Sequence, residues 1–306
     1  MKKQLPIYSI EKFQNSNNEI DFYANNLAEH VKEHHFTNLP HKHDFYLMML
    51  VTAGSGIHEI DFEKYKVKPG SVFVMKPGQM HYWNLSDDIE GFIFFHSKNF
   101  YEEVFVQETI NDFQFYNSYQ SESVIKLKAI TILSLKNLMK EIIVEHNSNA
   151  FLKEKKIHSL INLVYLEMAR EFVPNKVGAT KTYLLTLKKF DSLIEKNFRE
   201  MKFAKDYASE LNISEKHLNR IAKTCLNKTS TQLIAERILL EAKRMLIHSG
   251  LSVNQIGDEL GFNEKSYFVR FFRKNAGLTP KVFLNIYKKN EFLKIFHCYS
   301  SANSFQ

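Results

Sequence analysis

Two cysteines, Cys225 and Cys298, are all that 306 residues carry. One falls in an expected helix and the other in the tail, so a disulfide framework or a thiolate zinc site is excluded. Long apolar runs are missing as well. No stretch approaches eighteen uncharged apolar residues, which argues against a membrane partner. The apolar run behind Lys2 and Lys3 stops at Glu11, too soon for a secretory signal, and the expected location is the cytoplasm. There is no nucleophile elbow, no phosphate-cradling glycine loop and no paired-carboxylate motif. We therefore expect no catalytic residues, no cofactor and no enzyme activity.

What is present is unevenly placed. Residues 181–290 hold 21 Lys and Arg against 11 Asp and Glu, while the rest holds 20 against 23. A +10 segment joined to a −3 segment points to a polyanion partner for the C-terminal part. Twenty-six Phe and fourteen Tyr supply much of the apolar volume.

From about Tyr8 to Phe95 the sequence reads as short strands, among them Phe45–Val51, Gly56–Phe62 and Ser71–Met75. Gly54, Gly56, Pro69-Gly70 and Pro77-Gly78 mark turns, and many short strands argue for a sandwich or barrel. Residues 122–146 and 151–172 have helical periodicity and contain neither Pro nor Gly. In the second, Ile157, Leu160, Ile161, Val164 and Met168 share one face. Such a pair packs on the sheet or also meets a second subunit, giving a homodimer. Pro174–Thr180 reads as a linker, Tyr183 to about Lys289 as helical, and the tail after Glu291 has no pattern.

The strongest signal is an internal repeat. Ala208-Ser-Glu-Leu211-Asn-Ile213-Ser214 recurs 49 residues later as Gly257-Asp-Glu-Leu260-Gly-Phe262-Asn263. Each copy has a small residue, a leucine, a tight turn, an apolar residue and an expected N-cap, Ser214 or Asn263. The helices that follow align at an offset of 50, so the second turn carries one extra residue. Leu218, Ile221, Ala222 and Cys225 form the apolar side of the first, with Lys216, Asn219, Arg220 and Lys223 opposite. Phe268, Phe271 and Phe272 point inward in the second, with Ser266, Val269, Arg270 and Arg273 outward. Arg on guanine and Asn on adenine read base edges in a major groove, which accepts a helix. Between the copies, Ser230–His248 is one helix of about 28 Å, close to one turn of DNA at about 34 Å.

From about Phe190 to Phe283 the chain resembles the AraC/XylS family of bacterial transcription regulators. The matching residues are Arg237, Ala242, Leu246, Ile256-Gly257-Asp-Glu-Leu260-Gly261-Phe262, Ser266-Tyr267-Phe268, Arg270-Phe271-Phe272-Arg273-Lys274, Gly277 and Thr279-Pro280. The resemblance implies seven helices, two of them recognition helices, with base-contacting positions at Lys216, Asn219 and Arg220 and at Lys265, Ser266 and Arg270. Two residues depart from the family: Gly257 stands where Ala is commoner, at a cost of roughly 1 kcal/mol, and Ala222 replaces a bulky aromatic, which would loosen the first unit.

Upstream, His41-Lys-His43-Asp-Phe-Tyr46 and Gly70 to Asn84, with Pro77-Gly78, His81 and Trp83, resemble the two motifs of the cupin barrel. The resemblance makes His41, His43 and His81 ligands in metal-binding cupins, with a carboxylate soon after. That position is Tyr46 or Leu47 here, so no metal ligands are assigned. The histidines then line a ligand pocket with Tyr46 and Trp83 for a small organic effector, or are structural. Phe92 and Phe94 offer further ring surface.

The expected fold class is multi-domain α+β. A cupin-like β-barrel (jelly roll) sensor occupies 1–100, and a helical linker and dimerisation region 101–180. A double helix-turn-helix DNA-binding domain occupies 181–290 and a tail 291–306. The expected function is a ligand-responsive, sequence-specific regulator acting on double-stranded promoter or operator DNA, with RNA polymerase as a further partner. The alternatives are a cupin metalloenzyme (isomerase or dioxygenase) fused to a DNA-binding domain, and a constitutive DNA-binding protein with a dimerising barrel.

Overall fold

The computed structural model describes residues 6–14, 21–104, 109–110, 113–116, 123–171 and 180–287. They fall into two units, one within 5–175 and the other within 176–306. Of the expected linker Pro174–Thr180, residues 174–179 lie outside the described residues, as does the tail after Glu291 with Cys298, while Thr180 caps the helix that follows.

The first unit is built on ten strands: β1 (Ile7–Tyr8), β2 (Phe22–Asn26), β3 (His41–His43), β4 (Tyr46–Ala53), β5 (Gly56–Ile60), β6 (Glu63–Val67), β7 (Val72–Met75), β8 (Met80–Leu85), β9 (Glu90–His96) and β10 (Val124–Ile125). They form two five-stranded sheets, in the orders β1-β3-β8-β5-β6 and β10-β7-β4-β9-β2. Every pairing is antiparallel except β1 on β3.

Period-2 alternation sorts each strand into two faces. In β4, Leu47, Met49 and Val51 join Phe73, Met75, Trp83, Ile93 and Phe95 in the core between the sheets. Their neighbours Tyr46, Met48 and Leu50 join Phe92 and Phe94 in a second core under the helices. At Gly91, beside a register shift in β4, a Cβ would lie 2.0 Å from the Leu50 carbonyl oxygen. Only glycine lets the strands meet there.

Helices α1 (Leu27–Glu33), α2 (Lys98–Glu102), α3 (Ala129–His146) and α4 (Lys153–Glu171) complete this unit. α3 and α4 pack on the sheet, and the predicted stripe of α4, Ile157, Leu160, Ile161, Val164 and Met168, is buried. Two expectations need correction. α1 lies in a region read as strands only. The helix expected from 122 begins at Ala129, because Val124–Ile125 is drawn into the sheet by pairing with β7.

The second unit is helical: α5 (Lys181–Asn197), α6 (Ala204–Glu210), α7 (Glu215–Leu226), α8 (Ser230–His248), α9 (Val253–Glu259), α10 (Lys265–Ala276) and α11 (280–287). The repeat is visible in the backbone. α6 and α9 match at an offset of 49, α7 and α10 at 50. Left-handed residues close matching turns at Asn212 and Gly261, and matching C-caps at Asn227 and Gly277. The extra residue therefore sits just ahead of α10. It displaces the expected cap: Glu264, not Asn263, precedes α10, and no side chain caps it. Ser214 does cap α7, accepting from the His217 amide. α8 has the bounds expected of it, and Thr229 and Gln232 form a capping box at its start, a feature worth about 1 kcal/mol.

Candidate DNA-reading helices and ligand-binding barrel

α7 and α10 have the same division of faces. Leu218, Ile221, Ala222, Cys225 and Leu226 of α7 are buried, as are Phe268 and Phe272 of α10. Lys216, Arg220 and Lys223 are exposed on α7, and Lys265, Ser266, Arg270 and Arg273 on α10. Eight sequence-predicted residues thus divide four to a helix, seven of them exposed. Asn219 is half-buried: its Oδ1 accepts from the Ser230 amide at the start of α8 (3.2 Å). With Glu215, Lys216 and Thr229–Thr231 it lines an open hollow of about 480 Å³. The Arg220 guanidinium donates to His217 Nδ1 (2.6 Å), a neighbour that the sequence reading did not single out. The three-residue spacing on a helix was the available signal.

Ala222 is fully buried, in a helix that packs on α5, where Phe190 lies edge-on to Tyr207 of α6 at 5.5 Å. Gly257 has a packing reason. A Cβ there would lie 3.2 Å from Phe268 Cβ, so glycine lets α9 and α10 close on a ring.

In the barrel, His41, His43, His81 and Trp83 come together on the inner face of the first sheet. β3 and β8 place His41 opposite His81, their rings 4.2 Å apart, and His43 lies 5.1 Å from His81. Tyr46 is not with them. It stacks on His96 on the outer face of the second sheet, with Phe92 and Phe94 in the same helix-covered core. One residue of phase separates it from Leu47, which points inside.

Three histidines unmarked by the sequence reading join the cluster. His58 on β5 meets His81, Nε2 to Nδ1 at 3.0 Å, and Trp83 at 5.4 Å. His30 on α1 accepts or donates at the Tyr23 hydroxyl (3.0 Å) and lies 4.9 Å from His34. Strand pairing, not local pattern, brings His58 opposite Trp83.

The cluster is uncharged. Burial pushes His43 and His58 down to about 3 and His41 to about 4, and drives His30 and His81 well below the ordinary value. Backbone carbonyls fix two tautomers. His41 Nδ1 faces Leu39 O and His43 Nδ1 faces Phe45 O, each at 2.8 Å. A carbonyl only accepts, so both Nδ1 atoms carry protons and both Nε2 atoms are bare acceptors. His43 Nε2, His58 Nδ1, His81 Nε2, His30 Nε2 and Trp83 Nε1 are buried with no hydrogen-bond partner in the chain. Such atoms cost roughly 1–3 kcal/mol each unless something satisfies them. Among the described residues, no group of three or more His, Cys, Asp or Glu side chains is placed to hold a metal ion. Asp44 is exposed, and Leu47 fills the position where a carboxylate would stand. Among the same residues, no helix is long and apolar enough to cross a membrane.

Two family patterns match the chain, an AraC-like ligand binding domain over residues 27–161 and a helix-turn-helix domain over 207–286. The HTH-type transcriptional regulator YfiF of Bacillus subtilis is 25% identical over 288 residues, covering 89% of this chain and 86% of its own length. The HTH-type transcriptional activator RhaR of Mannheimia succiniciproducens is 20% identical over 242 residues, covering 78% and 84%. Among solved structures, unsaturated fatty acid bound ToxT of Vibrio cholerae covers 89% of this chain and 97% of its own, at 15% identity and a TM-score of 0.41.

Proposed function

Because the chain is an AraC-family DNA-binding transcriptional regulator, with an AraC-like ligand-binding domain ahead of a helix-turn-helix domain, we propose that α7 and α10 read two successive major grooves of one operator. Lys216, Asn219, Arg220 and Lys223 act from α7, and Lys265, Ser266, Arg270 and Arg273 from α10. The observation that carries this is the duplicated unit: two exposed basic faces, in register, joined by a nineteen-residue helix. Arg220 and Arg270 are the residues suited to bidentate contact with guanine, and the lysines to phosphate.

The effector is a small organic molecule held among His41, His43, His81 and Trp83, joined by His58. The unpartnered nitrogens support this site, since a bound molecule would satisfy them. Tyr46 stays outside the set because its ring lies under the helices. The occupied barrel favours one arrangement of the chain over another, which is how a ligand alters DNA affinity. The chain works as a homodimer in the cytoplasm and acts on RNA polymerase at the promoter, without an enzymatic step. Exposed Ile130, Leu133 and Val144 on α3 and Leu163 and Leu166 on α4 support the dimer. A hydroxyl-radical footprint on the gene's own upstream DNA tests the reading. We expect two protected grooves per monomer about 10 base pairs apart on one face. One protected groove per monomer would reduce one reader to a structural element.

A further inference from the structure

The two readers are joined at more than α8. Between the end of α5 and the start of α6 the chain turns through residues 198–203, and this turn touches both neighbours. On one side the Phe198 ring carries the Arg237 guanidinium of α8 at 4.0 Å. Arg237 in turn holds Glu195 of α5 (2.9 Å) and Glu241 of α8 (3.1 Å), and Arg199 reaches the same Glu241 at 3.9 Å. On the other side the turn abuts the second reader. A Cβ on Gly261 would lie 1.9 Å from the Arg199 carbonyl oxygen, so backbone meets backbone at the turn that leads into α10. Gly261 is left-handed as well, with φ of 72°, so glycine is required twice over.

Lys202 sits at this junction. Its ammonium donates to the carbonyls of Phe198 (2.7 Å) and Arg199 (2.6 Å), which lie past the end of α5. It also stands over the Phe262 ring at 5.5 Å. That ring packs against Tyr267, Phe268 and Phe271 of α10 at 5.1–5.5 Å. A single side chain therefore ties the carbonyl end of the first reader's scaffold to the aromatic core of the second. α7 and α10 each pack on α8, and an attachment off its axis adds a second restraint on the angle between them.

We propose that Lys202 is a positioning residue that sets the orientation of α10 relative to α7, and so the half-site spacing that this regulator accepts. The proposal rests on the two-reader function above. Inserting one base pair between half-sites turns one reader's target by roughly 35° around the duplex. A rigid pair cannot follow that shift, whereas a loosened pair can.

The test uses the full chain. An operator is first selected from random duplex DNA with the wild-type protein and footprinted, which checks the two-reader function by itself. Affinity is then measured for that operator and for versions with one base pair added or removed between the two protected grooves. The wild type should lose about tenfold or more on either altered spacing, the size of a lost base contact. Lys202→Met keeps the stem and removes the donors. It should hold random DNA as the wild type does, and its spacing penalty should fall below about threefold. Lys202→Arg, which keeps donors for both carbonyls, should restore the penalty. If Lys202→Met fails to fold by circular dichroism, Lys202→Gln takes its place. The proposal is overturned if the variant keeps the wild-type spacing penalty, or if it loses the same factor on all three spacings, as a direct phosphate contact would. A wild type with two protected grooves but no spacing penalty overturns it too, while leaving the two readers standing.

Discussion

The two units place their polar groups in opposite ways. Among the described residues, fourteen polar or charged side chains are buried in the β-rich unit, eight of them histidines; the helical unit buries only Ser230 and Arg244. The helical unit is aliphatic and aromatic inside and basic outside. The β unit keeps imidazoles, an indole N–H and several unpartnered nitrogens in its interior. Burying such groups opposes folding, so a unit that keeps them has its chemistry inside. The helical unit has a plain core, and its chemistry is on the surface.

Acid should break the symmetry of stability between the units, and this is the largest effect we expect. Burial holds His43 and His58 at about 3 and His41 and His96 at about 4, against 6.5 when exposed. Each is neutral in the folded chain and protonated in the unfolded chain between those values. Stability is therefore full above about pH 6.5 and falls as the pH drops toward 4, by roughly 1.4 kcal/mol per unit for each group. At about pH 5 the four together remove on the order of 5–8 kcal/mol, comparable to a whole domain's stability. Trp83, the single tryptophan, reports on the β unit alone. Its fluorescence should change together with the share of helical circular dichroism that α1–α4 supply, at a higher pH than the loss of the share that α5–α11 supply. One coincident transition would end the contrast.

A smaller effect sharpens the outer half of the comparison. Arg270→Ala or Arg220→Ala should cost roughly 1–3 kcal/mol on the selected operator and little on random DNA. Competition titrations with both DNAs decide it, and equal losses would mean phosphate contacts. Arg220→Ala also frees His217, its present partner, so its cost should be the lower of the two.

The smallest effect concerns the plain core itself. Gly257→Ala gains helix propensity of roughly 1 kcal/mol but presses a methyl group against Phe268. We expect the two to offset, with stability within about 1 kcal/mol of wild type by urea denaturation. A full gain would show that α9 and α10 have room to spare.

The same contrast governs what the sequence discloses. Helical faces are legible because a period of 3.6 carries its own phase: a run of Leu218, Ile221, Ala222 and Cys225 says which side is buried. The bounds of α8 and the extra residue ahead of α10 follow from that. Strand alternation has no such phase when both faces are apolar. Tyr46 and Leu47 are equally plausible inside, and only the helices α3 and α4, packed over one sheet, decide that Tyr46 meets His96 instead of Trp83. His58 and His30 were silent for a related reason, since each reaches the cluster through pairing or packing distant in sequence. The cap of α10 was misplaced by one residue because the repeat alone suggested Asn263.

α8 also limits how such a chain can change over time. Each residue added to or lost from a helix turns everything beyond it by about 100° and moves it about 1.5 Å. A single deletion between Ser230 and His248 would turn α10 by that amount relative to α7, and a second would not bring it back. Seven residues, two full turns, come within about 20° of the starting direction but shift it by about 10 Å. On this geometry a change in the nineteen-residue length of α8 is costlier than a substitution on its exposed side away from the Gln232 cap. New operators should arise by exchanging side chains on α7 and α10, not by restocking the span between them.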